Sequence, residues 1–141
     1  MRVNYHTHTC RCGHAIGSEE EYVQAAIAGG VEILGISEHS TYLMYPGATG
    51  KPHLSKDVLP LYVSAVKEAA KRHKNEIEVH VGIEAEYYPE TFPEFCSIMQ
   101  DQGVEYLLLG QHFLDSPLGQ RTRNDIWEPE ILTHYCDQII E

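Results

Sequence analysis

Four short apolar runs recur along the chain, and each carries or is followed at once by histidine or glutamate. Residues 2–5 lead into His6-Thr7-His8, residues 31–37 into Glu38-His39, and residues 105–110 into Gln111-His112, while residues 77–87 contain Glu84 and Glu86. The run at 31–37 is almost continuously apolar, as suits a strand covered on both faces in a parallel sheet. Helical patterns separate the runs, so the chain reads as β-α four times over, an α/β architecture built on a parallel sheet.

The intervening segments carry ordinary helix signals. Ser18-Glu19-Glu20-Glu21 forms a capping-box start, and its acidic triplet reads as a solvated first turn favoured by the helix dipole. Tyr22, Val23, Ala26 and Ile27 then keep helical spacing until Gly29-Gly30 stops it. Residues 56–74 place Leu59, Tyr62, Val63, Val66 and Ala70 on one face and Lys67, Lys71 and Lys74 in water, with Pro60 in the first turn, where its missing N–H does least harm. Residues 90–102 give a third helix ended by Gly103, and residues 129–140 a fourth carrying Ile131, Leu132, Tyr135 and Ile139 as its stripe.

Residues 77–87 alternate informatively. His80, Gly82, Glu84 and Glu86 share one face of this strand, and Val79, Val81, Ile83 and Ala85 the other. The apolar face must pack on helices, so the polar face points toward a site or a barrel axis. A buried carboxylate is costly unless it is paired or metal-bound, which makes Glu84 a candidate ligand. His80, two steps further from the strand end, reads as a satisfied core histidine.

His6 and His8 project from the same side of an extended segment, and His14 follows on the same loop. With His39, Glu84 and His112 they form a set of imidazoles and a carboxylate, donors that suit zinc, manganese or iron better than magnesium or calcium. Every one of these groups falls at the C-terminal end of its strand, where parallel βα proteins bind ligands.

With 21 acidic against 10 basic residues the formal charge is -11, which argues against a nucleic-acid partner, since a phosphate backbone needs a basic face. A small phosphorylated substrate is compatible, because bound divalent ions would reverse the local sign. At 141 residues the chain is expected to be one domain spanning 1–141. No apolar run approaches the roughly 18 residues that cross a bilayer, and polar His6 comes too early for a signal peptide. No membrane association and a cytoplasmic location are therefore expected.

Cys10, Cys12, Cys96 and Cys136 are too few and too irregular for a disulfide scaffold. Cys10-x-Cys12-x-His14 is tighter than the usual spacing of structural zinc cysteines, and a reduced loop thiol is the plainer reading of Cys12. Residues 40–55 form a long loop with Tyr42, Tyr45 and His53, a lid candidate beside the ligand set. Arg121 and Arg123, in the loop 113–124, are candidate phosphate-binding residues, since guanidinium matches phosphate oxygens bidentately.

Taken in order, His6-Thr7-His8, His14, Ser37-Glu38-His39, Gly82-Ile83-Glu84-Ala85-Glu86-Tyr87 and Leu109-Gly110-Gln111-His112-Phe113 resemble the PHP family of metal-dependent phosphoesterases, in its histidinol-phosphatase branch. The resemblance implies a distorted barrel of about seven βα units, of which this chain would form an incomplete barrel of about four. It implies a cluster of two or three divalent ions (Zn, Mn or Fe) held by His6, His8, His14, His39, Glu84 and His112, with Glu84 bridging two of them. It also implies further ligands on later strands that this chain does not contain. The activity it implies is phosphomonoester hydrolysis, with L-histidinol phosphate or a related small ester as substrate. Glu84 is expected to serve catalysis through the metals, and Glu38 or Glu86 by acid–base help. A protein tyrosine phosphatase and a metal-binding protein with little or no activity are the other readings. The open inner face and strand edges of a partial barrel point to a homo-oligomer that completes it.

Overall fold

The computed structural model describes residues 1–40, 54–116 and 128–140. Four parallel strands, β1 (Val3–Asn4), β2 (Ile33–His39), β3 (Glu78–Ala85) and β4 (Tyr106–Leu109), pair in the order β1-β2-β3-β4. Each strand lies beside its predecessor, with α1 (Glu19–Ala28), α2 (Leu59–Arg72) and α3 (Phe92–Gln102) in the connections. Right-handed crossovers between sequential parallel neighbours put all three helices on one side. The sheet therefore forms a wall with helices on one face and its other face open, as an incomplete α/β barrel requires.

Register decides which side chains meet. His39 pairs with Glu84, which in turn pairs with Leu108, so the rim of the sheet carries His39 and Glu84 side by side. On the helix-facing side Leu34, Ile36, Val79, Val81, Ile83 and Ala85 pack against Val23, Leu59, Tyr62, Val63, Val66, Phe95 and Met99. The Tyr62 hydroxyl reaches from α2 to the main-chain carbonyls of Ile36 at 2.6 Å and Gly82 at 2.7 Å. That contact fixes the helix layer against both central strands.

On the opposite, inner side two glycines make room for one ring. A Cβ on Gly35 would lie 2.1 Å from the Tyr106 hydroxyl, and one on Gly82 2.1 Å from its ring. Tyr106 lies across both strands and donates to the Tyr5 carbonyl at 2.7 Å. It spans the inner face from β4 to the end of β1, beneath the rim.

Helix ends follow the sequence signals closely. Ser18 caps α1, with its side chain accepting from Glu21 N while Glu21 reaches back, and Gly103 ends α3 at φ 77°. The acidic triplet of α1 departs from the solvated reading. Glu19 is buried and paired with Arg11, and Glu20 binds Arg72 at 2.7 Å and His73 at 2.7 Å, tying α1 to α2. Lys56 and Asp57 form a turn before α2, and β1 is shorter than the run from 2 to 5 suggested.

Two further expectations change. His80 is not enclosed in the core but sits half-buried between Glu105 at 2.5 Å and Glu78 at 2.9 Å. The last helix, α4 (Pro129–Ile140), does not bury its apolar stripe against the described residues. Its one buried residue is Gln138, which donates to the Tyr87 carbonyl at 3.0 Å and accepts from Asp115 N at 3.0 Å. Tyr42, Tyr45, His53, Arg121 and Arg123 lie outside the described residues.

Candidate metal centre

The site forms where the strands end. Beyond β1 burial alternates along the chain, so Thr7 and Thr9 are buried while His6 and His8 face the rim. Ser37 N donates to the Thr7 carbonyl at 2.8 Å, which holds this segment beside β2. Glu84 projects from the end of β3 with only 5% of its surface exposed.

Four imidazoles surround that carboxylate. His6 Nε2 lies 3.5 Å from Glu84 Oε1 and His112 Nε2 lies 3.6 Å from the same oxygen. His8 Nε2 is 3.3 Å and His39 Nδ1 2.7 Å from Oε2. His6 Nε2 and His8 Nε2 are 3.1 Å apart. Burial alone would oppose ionisation of Glu84, but the His39 and His8 imidazoles outweigh it and hold the carboxyl well below the usual carboxylate range.

These spacings fit a cation better than a hydrogen-bond network. Two ligands at about 2.0–2.1 Å on one tetrahedral zinc stand about 3.3 Å apart, close to the His6–His8–Glu84 separations. Glu84 Oε2 is buried and, despite its nitrogen neighbours, makes no hydrogen bond of acceptable geometry among the described residues. Ligand atoms gather in two groups that share it, His6–His8–Glu84 and His39–Glu84–His112. The shared carboxylate has two oxygens with which to serve both.

His14 packs its ring edge-on to His39 at 4.8 Å between centroids, joining the histidine group without reaching the Glu84 carboxylate ligand groups. Glu86 stands behind His112, with Oε1 3.2 Å from His112 Nδ1, and accepts from the Tyr88 hydroxyl. Gln111 links the two rim loops, accepting from Tyr87 N at 2.7 Å and donating to the Phe113 carbonyl at 2.6 Å.

Glu38 occupies a different place from the acid–base role expected of it. Alternation along β2 sends its side chain to the opposite side from His39, where it is fully buried and accepts from the Thr9 amide at 2.8 Å and the Thr9 hydroxyl. Its other oxygen lies 3.9 Å from His8 Nδ1. It stands behind His8, fully enclosed. Cys12 is buried beside it, Sγ 3.6 Å from His8 Nδ1, and burial first, then Glu38, pushes the thiol up to about 12.

The family model described as PHP domain matches residues 4–141. A curated relative from Deinococcus radiodurans, named a probable histidinol-phosphatase, is 28% identical over 109 residues, 77% of this chain and 41% of the relative. A candidate histidinol phosphatase, hisK, from Listeria monocytogenes superposes with a TM-score of 0.69 at 26% identity, over 80% of this chain and 46% of that one. Histidinol phosphate phosphatase from Lactococcus lactis, solved with Zn, L-histidinol and phosphate, gives a TM-score of 0.66 at 20% identity over 81% of this chain and 41% of its own, a likeness of fold. The chain thus spans less than half the length of the relatives it matches.

Proposed function

The chain belongs to the PHP domain family, and from that membership we propose that it is a metal-dependent phosphomonoesterase of the cytoplasm, hydrolysing L-histidinol phosphate or a related small phosphate ester. The observation that carries the reading is the convergence of His6, His8, His39 and His112 on the buried Glu84 carboxylate at the end of the strands. A relative of this family bears the histidinol-phosphatase name, and a neighbour in fold was solved with Zn, L-histidinol and phosphate.

His6, His8 and Glu84 would hold one divalent ion and His39, Glu84 and His112 a second, with His14 beside His39 available to a third. Zinc, manganese and iron all suit this donor set. Divalent ions bound there supply Lewis acidity, offsetting phosphate charge and making water nucleophilic near neutral pH. The chain's own part is to fix the geometry. Glu84 stays ionised because its surrounding imidazoles favour the anion, and the buried faces of Thr7 and Thr9 keep His6 and His8 turned to the rim. Arg121 and Arg123 are proposed to take the ester's phosphate oxygens, as guanidinium forks match them.

A second copy of the chain is proposed to cover the open edge of the sheet. Among the described residues β4 pairs only with β3, and Leu107 and Leu109 are 38% and 54% exposed beside it. A monomeric mass by light scattering at micromolar concentration would overturn that part of the reading.

The test of function is phosphate release from L-histidinol phosphate, phosphotyrosine peptide and a generic aryl phosphate by metal-loaded protein, with and without a strong chelator. Chelator-sensitive turnover of the small ester supports the proposal. Turnover that survives full metal removal overturns it, and bound metal without turnover would leave a metal-binding member of the family.

A further inference from the structure

Two of the imidazoles around Glu84 are backed at their far nitrogen by a second buried carboxylate. His8 turns Nε2 to Glu84 at 3.3 Å, and its Nδ1 lies 3.9 Å from Glu38 Oε2. His112 turns Nε2 to Glu84 at 3.6 Å, and its Nδ1 lies 3.2 Å from Glu86 Oε1. Glu38 comes from β2 and Glu86 from the segment just beyond β3, yet they meet their histidines in the same sense.

Each backing carboxylate is itself anchored. Thr9 holds Glu38 Oε1 through its amide and hydroxyl, and the Tyr88 hydroxyl holds Glu86 Oε2. With one oxygen fixed, the other is aimed. Glu38 is fully buried, and its Oε2 has no hydrogen-bond partner among the described residues. A buried carboxylate oxygen left without a strong donor is costly, and of the two donors that the fold brings toward it, the Cys12 thiol and an Nδ1–H on His8, the N–H is the stronger. Cys12 Sγ, 3.6 Å from the same nitrogen, is only a weak donor and a weak acceptor.

We propose that Glu38 and Glu86 are positioning residues that hold His8 and His112 as Nδ1–H tautomers, so that both Nε2 lone pairs face Glu84 and a divalent cation. The proposal rests on the metal reading above. It gives Glu38 a role that its burial permits, and it sets His8 and His112 apart from His39, which presents Nδ1 to Glu84 at 2.7 Å. Carboxylates behind metal-bound histidines orient the ring and raise its basicity, and their loss typically weakens metal binding about 10–100-fold.

The experiment is a long-range proton–nitrogen correlation spectrum of the zinc-loaded, nitrogen-15-labelled full chain, with zinc affinity measured by chelator competition. The expected spectrum shows His8 and His112 protonated at Nδ1 and zinc-shifted at Nε2. Glu38→Gln is expected to perturb the His8 pattern alone and Glu86→Gln the His112 pattern alone, each weakening zinc binding about tenfold or more. Cys12→Ala is expected to leave the His8 tautomer as it is. Zinc on Nδ1 of His8 or His112 would overturn the proposal, as would folded Gln variants with wild-type affinity. The wild-type spectrum decides even if a variant fails to fold. A chain that binds no zinc, manganese or iron overturns the metal reading and this role with it, whereas zinc bound to the opposite tautomer overturns this role alone.

Discussion

Gly110 lies so close to Glu84 that a Cβ placed on it would come within 2.1 Å of Glu84 Oε1. The backbone at the end of β4 thus forms one wall of the carboxylate's slot. Gly110→Ala is expected to push Glu84 out of register with its imidazoles and to lower zinc affinity about tenfold or more, the scale seen when a ligand's support is disturbed. Chelator competition measures it, and unchanged affinity would show that the carboxylate has room to give.

Replacing Glu84 by Gln keeps the shape and removes the charge that both ligand groups share. Metal content by mass spectrometry should fall for both groups together, with phosphatase activity falling at least about 100-fold. Loss of one ion with the other retained at full occupancy would count against a bridging carboxylate.

The contact between α1 and α2 should leave a signature in pH. Glu20 is held down to about 2, first by His73 and then by Arg72, from an ordinary 4.5. His73 is raised above 6.5, chiefly by Glu20 and then by Glu76. The raised histidine stabilises fully below 6.5 and loses that contribution as pH climbs through its folded value, while the depressed carboxylate stabilises above 4.5 and loses it as pH falls toward about 2. The melting temperature of wild type should therefore exceed that of His73→Asn most between pH 4.5 and 6.5. A difference that does not vary with pH would rule out the ionic origin.

Tyr62→Phe removes a hydroxyl that meets carbonyls of two neighbouring strands at 2.6 and 2.7 Å. The ring stays packed, so the cost is the lost hydrogen bonding, about 1–2 kcal/mol, or a fall of roughly 3–8 °C in melting temperature. Thermal unfolding by circular dichroism checks it. Metal affinity should be unaffected, since the hydroxyl lies on the helix side of the sheet.

Much of this was written locally in the chain. The alternation in residues 77–87 separates Glu84 from Val81 and Ile83, and β3 places them on opposite sides as that pattern requires. Capping at Ser18 and the stop at Gly103 are likewise local chemistry. Glu38 was harder to read because β2 is apolar on both faces and offers no alternation, so adjacency to His39 suggested a shared site where strand geometry separates them. The pairing of Glu19 with Arg11 and the resting place of Tyr106 over Gly35 and Gly82 depend on tertiary contacts that no local pattern encodes. Gln138 gave no signal either, since an amide inside an apolar stripe looks like an interruption until its two backbone partners are in place.

The strict β1-β2-β3-β4 order also sets a timetable. During synthesis the candidate ligands are added in the order His6 and His8, then His39, then Glu84, so the complete His6–His8–Glu84 group leaves the ribosome ahead of β4. A growing chain paired only through β3 already holds every side chain needed to capture a first cation. On the proposed metal reading, metal availability in the cell bears on how the nascent polypeptide matures as well as on the finished protein.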